Sequence, residues 1–430
     1  AVRLKGIQPN VWFEYGQILM LNRKYKAALP WFEKYQKKVP DDPRAEEMIE
    51  SCKNYENFKQ GAGLYKIRKL KVNSDASDFG PVFYNNQVVF ASARKRSLTK
   101  YNRTGQGYLD LYKADYAGET KLGEPELFRG RINTPYHEAT AAFSKDGKEM
   151  FFTRNNYIKG KMGQSKEGIV NLATFRSVLE DGKWSRETPL PFNSEEYSVG
   201  HPCLSPDDKK LYFVSNMPGG YGGTDLYYVT RDGDAWGEPV NLGPAVNTKG
   251  NEMFPSMSSD GQLHFASNGH AGLGGLDVYH AIANDDSFVV VKNVGAPINS
   301  QSDDFGLIYD PAKNVGFFTS NRPGGAGDDD LYAFFKLVPL LGVVQDESGN
   351  PIADVTVTIL AGRGASRVGT DEDGQFMYGL SLGRDYRLFF NKVGYEEVEK
   401  AISTKGAVAD EAQIPQVIMK KAAAEEKDEK

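Results

Sequence analysis

Cysteine is nearly absent: 430 residues carry two, Cys52 and Cys203. They fall in regions read below as different domains, so neither a disulfide framework nor a cysteine-based zinc cluster is available. Histidine is scarce as well. The five (His137, His201, His264, His270, His280) contain no His-Glu-x-x-His pair, and His264 and His270, six apart, read as surface residues rather than metal ligands. No apolar run approaches the ~20 residues that a membrane-crossing helix needs, and the opening AVRLKGIQPN has no apolar core of a signal peptide. Basic excess is missing: a net charge of −5 gives no electrostatic basis for nucleic-acid binding. Gly-x-Ser-x-Gly does not occur, which removes the nucleophile elbow of a serine peptidase.

What is present is a repeat. FFTSNRPGGAGDDDLYAF (Phe317–Phe334) echoes YFVSNMPGGYGGTDLYYV from Tyr212 and HFASNGHAGLGGLDVYHA from His264. Asn216, Asn268 and Asn321 lie 52 and 53 residues apart, as do Asp225, Asp277 and Asp330. Two degenerate copies lead to Asp110-Leu111-Tyr112 and to Asn171–Phe175. An Asn-Ser/Thr connector precedes each unit, at Asn73, Asn133, Asn193, Asn247 and Asn299. Short aromatic strands, glycine turns and a period near 52 residues predict a five-bladed β-propeller. Its loops read as wide glycine turns at positive φ, with the six repeated Asn and Asp side chains satisfying loop amides. A calcium or phosphate site is the sharper alternative, but the loops lack the Lys-Ser/Thr and the alternating acids those sites use. Carboxylates that recur with the period offer no unique glycosidase-like pair. No catalytic, cofactor or metal residue is assigned.

Four segments follow: an N-terminal α-helical repeat (1–62), the propeller (63–337), a C-terminal transthyretin-like β-sandwich (338–420) and a linker (421–430). In the first, Trp12, Tyr15, Gly16 and Leu19 are expected on one helical face and Ala28, Leu29, Phe32 and Tyr35 on another, with Asp42 capping a third helix. The helices read equally as a peptide-binding groove or as a packing cap. Leu64–Val72 aligns with the outer strand of the last blade, so it is expected to pair with the blade of Asp330 and hide its edge. GQSKEG (Gly163–Gly168) reads as a mobile insertion. Either further helical repeats precede Ala1 or these helices pack on the propeller, and a domain beyond the linker is expected.

The SNRPGGAGDDDLY units resemble the PD40 (TolB-type, WD40-like) propeller repeat of bacterial envelope proteins. Residues 340–400, with Gly342-Val343-Val344, Asp346, Pro351, Asp373-Gly374, Tyr386 and Gly394-Tyr395, are similar to the carboxypeptidase regulatory-like domain. The order of tetratricopeptide-like helices, propeller and sandwich resembles OmpA-family proteins of the Bacteroidetes linked to type IX secretion. That resemblance implies a non-enzymatic periplasmic scaffold at the outer membrane that docks protein partners of a secretion or gliding complex. It implies contact with peptidoglycan only through a further C-terminal domain. The competing expectation is a glycan- or peptide-binding propeller, or a propeller enzyme, with its ligand over the central funnel.

Overall fold

A computed structural model describes residues 7–94, 101–118, 120–130, 132–158, 160–284, 287–407, 409 and 412–422. Most of the expected 421–430 linker therefore lies outside the described residues. Two compact units emerge: residues up to Gly61 together with Ile67–Phe334, and Ala62–Lys66 with everything from Phe335 onward. No described helix is long and apolar enough to cross a membrane, which says nothing of a β-barrel.

The first unit opens with α1 (Asn10–Leu21), α2 (Tyr25–Gln36) and α3 (Arg44–Asn54). The buried stripe of α1 is Phe13, Gly16 and Met20, not the expected Trp12, Tyr15 and Leu19, which are only partly covered. Phe13 meets Phe32 at 5.4 Å and Tyr35 at 5.0 Å, whereas Trp12 lies outside under the Lys34 ammonium. On α2 the expected Ala28, Phe32 and Tyr35 are buried. Asp42 accepts the Arg44 amide at 3.1 Å and the Tyr35 hydroxyl at 2.5 Å, which fixes the start of α3. A Cβ at Gly16 would stand 2.6 Å from the buried Phe32 ring. Gly16→Ala gains about 1 kcal/mol of helix propensity but overpacks the contact at a cost of about 1–3 kcal/mol. A net loss of thermal stability is expected; a rise in melting temperature would show that the helices can spread.

Five antiparallel sheets follow in chain order. Their first strands are Asp78–Tyr84, Glu138–Phe143, Val199–Leu204, Glu252–Met257 and Asp304–Asp310, each paired with a second and then a third strand, and each sheet closed by one or more outer strands. The first strand of each sheet packs beside that of the next, and the fifth packs beside the first. In the fifth sheet the outer strand is Tyr65–Lys69, beside Asp330–Lys336, with the Leu70 amide bonded to Leu331 O at 3.1 Å. The turn between first and second strands needs one left-handed residue, held by Asn85, Gly147, Asp208, Gly261 and Asn314. Only Gly, Asn and Asp visit that region cheaply, so Asp208 serves where the glycine is missing.

The second unit holds seven strands in two sheets. Val338–Asp346 lies between Gln375–Leu380 and Gln416–Met419, and the other sheet runs Gly364–Gly369, Thr356–Ala361, Asp385–Asn391, Val398–Ser403. Alternation sends Val338, Leu340, Val344, Val357, Leu388 and Phe390 into one core between them. The result is a β-sandwich on a mainly β chain with N-terminal helices.

Candidate functional site

The six repeated side chains brace three loops of the first unit. Asn216 Oδ1 accepts the Ser198 amide, Asn268 Oδ1 the Asn251 amide and Asn321 Oδ1 the Asp303 amide, each at 2.8 Å. Asp225 accepts the amides of Tyr221 (2.6 Å) and Gly222 (3.1 Å), Asp277 that of Leu273, and Asp330 that of Ala326 (2.6 Å). In each pair the asparagine holds the connector that leads into the first strand and the aspartate holds the glycine loop.

The glycines of these loops need a different explanation from the one the sequence suggested. Only Gly219 and Gly324 take positive φ. The others allow close approach: a Cβ would stand 2.5 Å from Asp225 Oδ2 at Gly220 and 2.3 Å from Thr248 O at Gly222. Histidine also departs from expectation. His270 is no surface residue; its Nε2 bonds Val246 O at 2.8 Å. His264 faces His280 across two strands at 5.2 Å. The insertion around Gly163–Gly168 forms a small hairpin (Tyr157–Ile158 with Lys161–Met162) and a turn closed by Ser165.

Sequence reasoning used the connector asparagines as markers and missed their work. Asn299 accepts the Val278 amide and donates to the Val278 carbonyl, both at 2.8 Å. Asn247 does the same for Leu226, Asn193 for Thr174, Asn133 for Leu111 and Asn73 for Leu331. The hydroxyl residue that follows binds an acid at the head of the first strand: Ser74 to Asp78, Thr134 to Glu138, Thr248 to Glu252 and Ser300 to Asp304. An arginine closes three of these sites, at Arg94–Asp78 (2.7 Å), Arg154–Glu138 (2.9 Å) and Arg322–Asp304 (2.6 Å). The third sheet replaces both charges. Val199 pairs with Ser215 where an acid pairs with serine in the first, fourth and fifth sheets, and Met217 stands where the first and fifth carry arginine. Val199 lies in an apolar cluster against which Met217 packs.

The fourth sheet keeps the acid without an arginine. Burial pushes the Glu252 carboxyl up to about 7. An acid whose native value is raised stabilises the fold fully below the ordinary glutamate range, and that contribution is lost as pH rises through about 7. Glu252→Gln should therefore flatten the decline of melting temperature from the ordinary glutamate range up to about pH 7. An unchanged slope would mean the carboxylate is not desolvated.

The helices rest on the glycine loop of the fourth sheet. Glu47 Oε2 accepts the Ala271 amide (2.8 Å), Ser51 Oγ the Gly272 amide (2.9 Å), and Tyr25 donates to Leu273 O (2.6 Å). Leu273 is buried within the helical cluster. The packing-cap role is thus occupied by these side chains.

A cavity of about 440 Å³ lies among the five first strands and reaches the strand-one to strand-two turns, at Lys145, Asp208, Ser258, Asp310 and Lys313. The repeated Asn and Asp residues stand at the opposite strand ends. Val82, Phe143, Met257 and Ile308 are among its apolar walls. At its base the rings of His201 and Phe254 stack at 4.0 Å, and Phe254 meets Phe305 at 4.5 Å. Burial holds His201 down at about 4, so the imidazole is neutral, and raises the Cys203 thiol in the wall to about 12, so it is inert. The rim carboxylates are engaged: Asp208 accepts the Lys145 amide at 3.0 Å, and Asp310 accepts the Ala312 amide and pairs with Lys313 Nζ at 2.9 Å. Among the described residues no group of three His, Cys, Asp or Glu could hold a metal ion.

No curated protein matches the chain. Among solved structures, a 3-chlorocatechol 1,2-dioxygenase from Rhodococcus opacus is 13% identical over 20% of this chain and 60% of its own, with a TM-score of 0.17. A putative TolB from Agrobacterium tumefaciens is 13% identical over 77% of this chain and 98% of its own, with a TM-score of 0.37. A protein of unknown function from Dyadobacter fermentans is 14% identical over 78% and 98%, with a TM-score of 0.38. The chain spans 60% of the dioxygenase's length. Residues 339–414, within the two-sheet unit, match the carboxypeptidase regulatory-like domain.

Proposed function

We propose that this chain is a non-enzymatic docking scaffold of a bacterial envelope assembly, its five sheets forming the blades of a five-bladed propeller. The cyclic succession of first strands supports the propeller reading. The observation that carries the docking role is the cavity: its rim carboxylates are already committed to loop amides or to lysine, so apolar wall is the surface it offers. General acid–base chemistry would need a titratable group free to meet a substrate. The likeness in domain order supports a PorE-like place in a type IX secretion or gliding complex, in the periplasm and associated with the outer membrane. The helices then belong to a tetratricopeptide-like array in the same family of OmpA-related proteins. A second reading, a small-ligand or catalytic propeller, draws on His201 alone, which stands buried at the cavity base.

Affinity capture from outer-membrane extracts tests the proposal. The full chain should retain one or a few proteins at defined stoichiometry, and a stable complex should bury roughly 1,000 Å² or more. Residues 1–430 should not bind peptidoglycan by themselves. Tight retention of a wall fragment, or turnover of an envelope glycan, would overturn the assignment.

A further inference from the structure

We propose that the cavity among the five first strands receives a neutral peptide segment of the docked partner, which seats one aromatic or branched aliphatic side chain against Phe254 and accepts a hydrogen bond from His201 Nε2. The inference rests on the docking reading above and names the chemistry of the contact.

The first argument is strain. His201 and Phe254 sit at equivalent positions two residues into the first strands of neighbouring sheets, with φ of 50° and 51°. Gly80 and Gly306 occupy the same position in the first and fifth sheets, with φ of 63° and 59°. The backbone is thus left-handed at this position in four of the five sheets, where glycine serves without penalty, and Thr140 of the second sheet is the exception. A bulky side chain there is a genuine outlier and costs on the order of 1–3 kcal/mol. Two sheets bear that cost, and what they gain is a stacked imidazole and phenyl ring at the cavity base.

The second argument is an unmatched donor. His201 Nδ1 accepts the Phe254 amide at 3.3 Å, which assigns the proton of the neutral ring to Nε2. His201 is 9% exposed, and Nε2 has no hydrogen-bond partner among the described residues, although the ring lines the cavity. That donor opens onto the cavity, where a ligand carbonyl can take the place of water as its acceptor. A peptide carbonyl beside an apolar side chain supplies both halves of the contact. The engaged rim carries two lysines and two aspartates, which favours neither an anionic nor a cationic guest. The volume is within the usual range of ligand pockets, about 300–1,000 Å³.

The test uses the full chain and the neutral naphthalene ketone prodan, an apolar probe with one carbonyl acceptor whose emission moves to the blue in a dry site. Saturable binding at one site is expected, displaced by N-acetyl-phenylalaninamide and not by N-acetyl-glycinamide. His201→Phe, which installs the residue that the next sheet already holds in this conformation, should weaken prodan by about tenfold. Met257→Trp, which fills the cavity from its wall, should abolish binding while the melting temperature stays near wild type. No saturable binding to the wild-type chain, or undiminished binding to folded Met257→Trp, overturns the proposal. Once a partner is captured, its loss from Met257→Trp supports the proposal. Retention by that variant overturns the cavity as the docking point and leaves the docking reading standing. Competed prodan binding with no captured protein would defeat the docking reading instead.

Discussion

Replacing Arg322 with methionine should destabilise the first unit by about 3–5 kcal/mol, the usual cost of stranding a buried charge. Asp304 is fully buried, and burial raises its carboxyl above the ordinary range even beside the guanidinium. Arg322 also donates to Pro297 O at 2.9 Å and to Ile298 O, so its loss uncovers three acceptors together. The third sheet shows how the same position is built without charge, with Val199 and Met217 in place of acid and arginine. Asp304→Val with Arg322→Met should therefore recover part of the loss, read by urea denaturation, with the Pro297 and Ile298 carbonyls and the Ser300 donors still unmatched. The deficit of the single variant should also shrink from pH 8 to pH 5, because a stranded carboxyl can protonate in the native state. A double variant no more stable than the single one would mean that the charges do more than satisfy each other.

Asn299→Ala should cost about 2–4 kcal/mol, since it leaves the buried amide and carbonyl of Val278 both unmatched. Asn299 is 1% exposed. Asn216→Ala, by contrast, removes one bond on an exposed loop and should cost less than about 1 kcal/mol. Asn299→Asp keeps the acceptor but sets a buried carboxylate against the Val278 carbonyl, so it should cost no less than alanine at pH 8 and less as the pH falls. Equal losses for Asn216 and Asn299 would place the support in the glycine loops and not in the connectors.

The two asparagine sets show where the sequence was readable. Spacing counted both, because a repeated structural need leaves a repeated residue. The outer strand Tyr65–Lys69 was readable for the same reason, by alignment of its connector with that of Asn299. Which set is buried was not readable, since burial depends on how successive sheets stack. The glycine loops misled for a related reason: composition cannot separate a glycine needed for φ from one needed because an aspartate lies 2.5 Å from its absent side chain. The cavity left almost no trace. Its two informative residues, His201 and Phe254, stand where the first and fifth sheets have glycine and the second has Thr140, so a motif search passes over them as noise. On α1 the error was one of phase, since Trp12 and Phe13 are adjacent and only the aromatic partners Phe32 and Tyr35 decide which turns inward.

The bond between Asn73 and Leu331 spans 258 residues of chain. Such a contact comes late in folding, because the entropy of closing so long a loop must be met before any native energy is returned. A chain emerging in order from the ribosome or from an export channel makes the partner of the Tyr65–Lys69 strand nearly last. Until residue 331 arrives, that strand waits with open hydrogen-bonding groups. The interval is when a chaperone has something to hold and a protease something to cut, and its length is set by the rate of chain delivery rather than by the stability of the folded state.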